Sequence, residues 1–353
     1  RYQHTIAAMG GYWAASFTIR GGRHLADDWL QDGLGRHVQV YDDALVLIWE
    51  GFVDSLNVNY GPLAVTRGPL LDTANRVDLV YSTVEYDEIG NPVVGTRVNT
   101  GEADDTDSQA LWGIIPKVLS TGGADPDDAE AIRDTYLANH ALPQTTKQWR
   151  SDAGGETSVT VNCLGYVHWL NWAYNSTTTG TDDADDKLLA VLADSPNVAW
   201  LDYGTLNVDA NTLQVKMWED EDNLAWSVIK GIVARGDASQ NRWLFGIYGD
   251  LEAYYQAAPT DLEYQQRLSD PSVRVEYAQG GEVYPWNVLP GKWILFPDFL
   301  IGQAAEADLR DDPRAMFIEE VTYTMPWTLQ LNGGTLDRVD QLIAQMGLSG
   351  VGG

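Results

Sequence analysis

The sequence predicts a β-rich α+β protein of more than one domain, and three observations carry that prediction. Runs of β-branched and aromatic residues, bounded by Gly, Pro, Asn and Asp, recur along most of the chain. Amphipathic helical patterns are interleaved among those runs rather than gathered at one end. At 353 residues the chain is also longer than one ordinary domain of about 100–200 residues.

Taken in order, Tyr12 to Arg20, His37 to Tyr41, Ala44 to Asn59, Leu63 to Arg67 and Arg76 to Val84 read as strands, separated by turn formers such as Gly21-Gly22, Asp42-Asp43 and Gly61-Pro62. Apolar residues alternate with Asn and Asp at Leu56, Val58, Val77 and Leu79, as in a sheet wet on one face. Leu25 to Leu34 breaks the pattern and reads as a short helix ending near Gly33 or Gly35. Beyond residue 101 an acidic stretch leads into SQALWGIIPKVL. There Leu111, Ile114, Ile115, Val118 and Leu119 recur at helical spacing, with Asp107 placed to cap and Pro116 to kink or break the helix. Asp125-Pro126-Asp127-Asp128 starts a second helix that runs to His140: the first Asp caps, Pro fits the first turn and the carboxylates face the positive end of the dipole.

A second β-rich run, ETSVTVNCLGYVHWLNWAYN, places Val159, Val161 and Cys163 on one face. DDADDKLLAVLAD and NLAWSVIKGIVARG read as helices and NTLQVKMWED as a strand. RWLFGIYGDLEAYYQA reads as a hairpin turning at Gly249-Asp250, and residues 272–300 and 317–334 return to β. A last helix, Thr335 to Met346, is stopped by Gly347 ahead of a loose Gly-rich tail. One further regularity spans the chain. Gly51-Phe52-Val53, Leu56-Asn57 and Tyr60 match Gly165-Tyr166-Val167, Leu170-Asn171 and Tyr174 at the same offset that relates Trp112, Ile115, Val118 or Leu119 and Gly122 to Trp226, Ile229, Ile232 or Val233 and Gly236, as duplicated domains would.

Composition excludes several functions. With 51 acidic against 22 basic side chains and a formal net charge of −29, most of the surface repels both nucleic-acid phosphate and anionic membrane. Hydrophobic residues make up 44 % of the chain, enough for packed cores, so this is not an acidic disordered tail. The single Cys163 allows neither an internal disulfide nor a thiolate zinc site. No apolar run spans a bilayer and the first residues lack the order of a secretion signal, so a soluble protein is expected; the chain opens on Arg1 rather than Met. On that footing the Asn175-Ser176-Thr177 sequon is set aside.

No catalytic pattern stands out. His4, His24, His37, His140 and His168 form no His-x-x-x-His pair, and there is neither a nucleophile elbow nor a phosphate loop. Carboxylates are too abundant for any pair to be singled out as a glycosidase acid and base. The clusters at 104–107, 182–186 and 219–222 offer oxygen ligands for a structural Ca²⁺, yet each precedes a helix, where a dipole accounts for it first. No cofactor is expected. The 14 Trp and 17 Tyr against 6 Phe suit half-buried sheets and subunit interfaces.

The opening GGYWAASFTIRGG, LGRHVQVYDDALVLIWEGFVDSL followed by GPLLDTANRVDLVYSTV, then SVTVNCLGYVHWLNWAYN, and WSVIKGIVARGD to RWLFGIYGDLEAYYQ together resemble the tail hub (baseplate hub) proteins of tailed bacteriophages and related contractile injection systems. The resemblance implies two related β-barrel or sandwich domains with helical insertions: residues 1–105 as the first, 106–155 as a helical connector, 156–334 as the second with its helices, and 335–353 as a terminal helix and flexible tail. It further implies a virion structural protein at the tail tip, made in the host cytoplasm and not an enzyme. Its partners would be copies of itself in a trimeric ring, the tail tube or distal tail protein, and a spike or fibre, with DNA passing but not bound. Trp49, Phe52, Tyr166, Trp169 and Trp172 lie in the best-matched segments and are the interface candidates. Acidic clusters along the lumen would keep DNA from sticking. Three rival readings are a hexameric distal tail adaptor, a carbohydrate-binding protein that stacks sugars on Trp169, Trp172 and Tyr174, and an envelope-degrading glycoside hydrolase.

Overall fold

The computed structural model describes residues 1–151, 155–171, 181–193, 206–216, 224–268, 275–299, 308–325 and 328–334. In chain order its elements are β1 (Tyr2–Ala7), β2 (Gly10–Arg20), α1 (Arg23–Asp32), β3 (His37–Tyr41), β4 (Leu47–Asn59), β5 (Leu63–Arg67), β6 (Arg76–Tyr86), β7 (Pro92–Asn99) and β8 (Ala103–Asp104). Next come α2 (Thr106–Trp112), β9 (Pro116–Ala124), α3 (Pro126–His140), β10 (Thr145–Trp149), β11 (Ser158–Leu164), β12 (Thr181–Asp183), α4 (Ala184–Ala193), β13 (Leu206–Val208), β14 (Gln214–Lys216) and α5 (Ala225–Ala234). The chain continues through β15 (Trp243–Ile247), β16 (Ala253–Ala257), β17 (Leu262–Gln265), β18 (Glu276–Tyr277), β19 (Trp293–Leu295), β20 (Ala315–Thr324) and β21 (Thr328–Gly334).

The fold is β-rich α+β, as the strand and helix patterns predict. The main sheet runs β10-β5-β4-β11-β2-β1-β20-β19-β17-β18; β3 adds to β4, β21 to β20, and β15 joins β2 in parallel at Gly246 and Gly10. Its strand order stays open among the described residues, so no closed barrel forms. β11 lies between β4 and β2, and β1 pairs with β20, so the hydrogen bonding crosses the boundaries expected at 155 and links the first strand to one of the last. A second sheet holds β7-β6-β8 with β9 parallel to β6, backed by α3 through Ala129 against Leu79 and Tyr81.

Two cores lie on opposite faces of the β4–β11–β2 region. One packs Trp49, Val53, Leu56, Val58, Val159, Val161 and Cys163 beneath α1. The other gathers Phe52, Trp169 and Leu170 with α4, α5, β15 and β16. The inward positions of β4 change phase between Val53 and Leu56, and the cause is a bulge: Asn162 pairs with Ser55 but Cys163 with Val53, leaving Asp54 as the extra residue. Asp54 turns its groups to the next loop, its carbonyl accepting from Leu70 N–H and its carboxylate from Leu71 N–H.

Two expectations are corrected. The helical reading of SQALWGIIPKVL holds only to Trp112. Asp105, not Asp107, caps it through Ser108 N–H, Gly113 turns the chain at φ 74°, and Pro116 opens β9 alongside β6. The apolar residues from Ile114 to Leu119 are therefore a strand and its approach, their spacing a coincidence. The constant offset fails as a duplication too. Gly51-Phe52-Val53 is strand where Gly165-Tyr166-Val167 enters a 3-10 turn, and Val118 and Leu119 are strand where Ile232 and Val233 are helix. What the two glycine–aromatic steps share is close backbone approach: a Cβ on Gly51 would meet Leu164 O at 2.2 Å and one on Gly165 would meet Tyr12 O at 1.7 Å, while Phe52 and Tyr166 pack at 5.8 Å. The C-terminal helix expected over 335–346 lies outside the described residues.

Candidate assembly surfaces

Four of the five aromatic interface candidates are core residues of the chain itself. Trp49 and Phe52 are wholly buried, Tyr166 and Trp169 nearly so, and Phe52 packs against the last two with tilted rings at 5.8 and 5.1 Å. A side chain with no exposed area has nothing to offer a partner, so the aromatic signal reported packing here; Trp172 lies outside the described residues. Burial of Trp169 removes it from a sugar-stacking role as well.

The most concentrated polar chemistry is a line of hydroxyl, imidazole and carboxylate. Glu50, 2 % exposed on β4, accepts from His37 Nε2 at 3.0 Å, from Gln39 Nε2 at 2.8 Å and from Asp250 N–H. When neutral, His37 accepts from the Tyr166 hydroxyl on its other nitrogen. Burial pushes the Glu50 carboxyl up, but the His37 and Gln39 bonds, the His37 charge and the Asp250 N–H outweigh it and hold the group below the usual range. Burial first, and the Glu50 charge second, push the Tyr166 phenol up. The order of groups looks like a nucleophile relay, yet the terminal phenol is buried and held protonated, and both imidazole nitrogens are engaged. Its chemistry is positioning: it ties β3, β4, the turn at Tyr166 and the β15–β16 turn, where Asp250 and Leu251 both sit at φ 56°. Sequence reasoning missed it because the partners come from three distant segments.

The acidic clusters are engaged locally. Asp104 pairs with Arg76, Asp105 caps α2, and Asp182 pairs with buried Lys187. No group of three or more metal-ligating side chains converges among the described residues, and the 219–222 cluster lies outside them.

The exposed features lie elsewhere. The β6–β7 hairpin extends as an arm whose far end is exposed on both strands, with Tyr86 70 %, Ile89 84 % and Val94 78 % open. Its tip is built by one residue: Asp87 Oδ1 accepts from Ile89 and Asn91 N–H, and its Oδ2 from Asn91 Nδ2. The turn formers Asp87, Gly90, Asn91 and Pro92 were the signal for this hairpin, but the sequence reading stops the strand at Val84. β10 closes one end of the main sheet, pairs with β5 alone among the described residues, and is exposed at all five of its positions, Trp149 included. Beside it lies a groove of about 720 Å³ lined by apolar residues such as Leu63, Val65 and Pro143 and by Arg23, Arg67 and Lys147, with Asp27 the one carboxylate among them. At a third place, the β3–β4 turn, Tyr41, Leu45 and Val46 stand exposed around an Asp42-braced loop.

No protein-family model matches the chain, and no curated protein matches it in sequence. Among solved structures it is similar to the tail protein from Neisseria meningitidis MC58, at 8 % identity and a TM-score of 0.32, over 83 % of this chain and 96 % of that one. A superposition that loose carries no weight for function. No helix among the described residues is long and apolar enough to cross a membrane.

Proposed function

We propose that this chain is a structural subunit of a bacteriophage tail tip, a hub that assembles with its own copies into a ring between the tail tube and a spike or fibre, around the path of the DNA. One observation carries the assembly reading. Among the several sheet edges, β7 and β10 each have a neighbouring strand on one side only among the described residues, and the exposed arm that bears β7 carries large apolar side chains. An uncovered edge invites pairing with another chain, and an exposed apolar surface on a folded subunit marks a contact. The ordered resemblance of the sequence to tail hubs supplies the particular assembly. The internal closure of the Tyr166–His37–Glu50 line favours a structural over a catalytic role.

Mass measurement and electron-microscopy class averages of the purified protein test the reading. Three copies in a threefold ring are expected; six copies would favour the distal tail adaptor, and a monomer at every concentration would overturn both.

A further inference from the structure

We propose that the β6–β7 arm of one copy seats in the β5–β10 groove of a neighbouring copy, joining subunits head to tail. The inference rests on the assembly reading above and names the surfaces that perform it.

Residues directly opposite in an antiparallel pair share a face. Val84 faces Val94 and Tyr86 faces Pro92, so one face of the arm is wholly apolar at its end, while Glu85 lies opposite Val93 on the other. A two-stranded ribbon alone in water is marginal at best, yet this one is held in shape by the Asp87 turn. A preformed element loses little freedom on docking. The arm is thus shaped to dock and has an apolar face to cover.

Charge selects where. The chain carries 22 basic residues against 51 acidic ones, and three of the 22 line the β5–β10 groove. Arg67 is fixed there by donating to the Leu30 and Gln31 carbonyls at the end of α1, which leaves its charge in place. Arg23 has Asp27 at 3.6 Å, and Lys147 stands exposed on β10. The arm's end carries Glu85, Asp87 and Glu88, all exposed. An acidic arm with an apolar face matches a groove that combines three cations with apolar lining, while the excess of acidic over basic residues disfavours much of the remaining surface. Arm and groove share no residue, so repeating the contact head to tail leaves a free arm at one end and a free groove at the other, and yields a ring where the rotation closes. The arm is smaller than one side of a standard interface of about 20–30 residues. In a closed ring each copy is held at two places, which raises the effective affinity without new contacts.

Charge reversal tests it. Glu85→Arg with Glu88→Arg, and separately Arg23→Glu with Lys147→Glu, should each weaken association at least tenfold by mass photometry at low ionic strength. All four positions are exposed, so melting curves should match the parent. The chain with all four substitutions should assemble again. If the paired variants assemble like the parent, or the fourfold variant stays dissociated, the arm does not meet the groove and this inference falls while a parental ring keeps the assembly reading. If the parent never assembles, both fall.

Discussion

At the scale of single residues, His4 is the most exacting position. It is 1 % exposed on β1; its Nδ1 shares a 2.9 Å hydrogen bond with the Tyr2 hydroxyl, while its Nε2 is buried with no partner among the described residues. Burial lowers it to about 4 from an ordinary value of 6.5, so the folded chain keeps it neutral. The sign is set by which state binds the proton. Between pH 6.5 and 4 the unfolded chain takes up a proton that the folded chain refuses, so stability falls as pH drops through that window. A shift of that size is worth about 3 kcal/mol once the window is crossed. Denaturant unfolding of the parent and of His4→Leu at pH 7 and pH 4.5 checks it. The parent should lose more stability between the two than the variant, and equal losses would remove His4 as the cause.

At the scale of elements, close backbone approach decides what a position tolerates. Gly165 lies where the chain leaves β11 across β2, and an added methyl would stand 1.7 Å from Tyr12 O, a backbone atom that cannot step aside. Gly231 lies exposed inside α5 with nothing within 4 Å. Gly165→Ala should therefore destabilise by about 1–3 kcal/mol or more, and Gly231→Ala should stabilise by about 0.5–1 kcal/mol through helix propensity. Thermal melts of the two variants read both signs, and a neutral Gly165→Ala would refute the crossing. Much at this scale was legible in the sequence. β3 and β5 fall on the expected residues, Asp125 caps α3, and the Gly249-Asp250 turn joins β15 to β16, because in each case a local signal coincides with the tertiary need. Other features depended on partners that sequence does not display. Ile114 to Leu119 carry helical spacing, yet β6 recruits them as a strand. β1 went unread although β2 pairs along its whole length, and its second neighbour, β20, comes from the other end of the chain. The candidate surface was least legible: aromatic content drew attention to Trp49 and Phe52, which the chain buries, while the exposed face is made by Val84, Tyr86 and Val94 on a hairpin signalled only by its turn residues.

At the scale of the whole molecule, charge and assembly bear on each other. A net charge of −29 opposes bringing copies together, so association must concentrate its few cations at the contact. The groove does this, and because Arg23, Arg67 and Lys147 would be buried against the arm's Glu85, Asp87 and Glu88, equal numbers of opposite charges are covered and the remaining surface of the ring keeps its net negative charge. Such a ring should be indifferent to duplex DNA. Binding through phosphate contacts strengthens steeply as salt is lowered, because each contact releases counterions. The assembled protein should therefore leave duplex DNA unshifted in a gel even at low ionic strength, where any cationic site would be strongest. Assembly through the groove should move the opposite way with salt from a purely apolar contact, weakening as screening shortens the reach of Lys147 and Arg23 to about 8 Å at physiological ionic strength. The two measurements constrain each other. DNA retention that fades with added salt would mean that the basic groove remains open in the assembled state, which would sink both the inert channel and the arm's place in the groove.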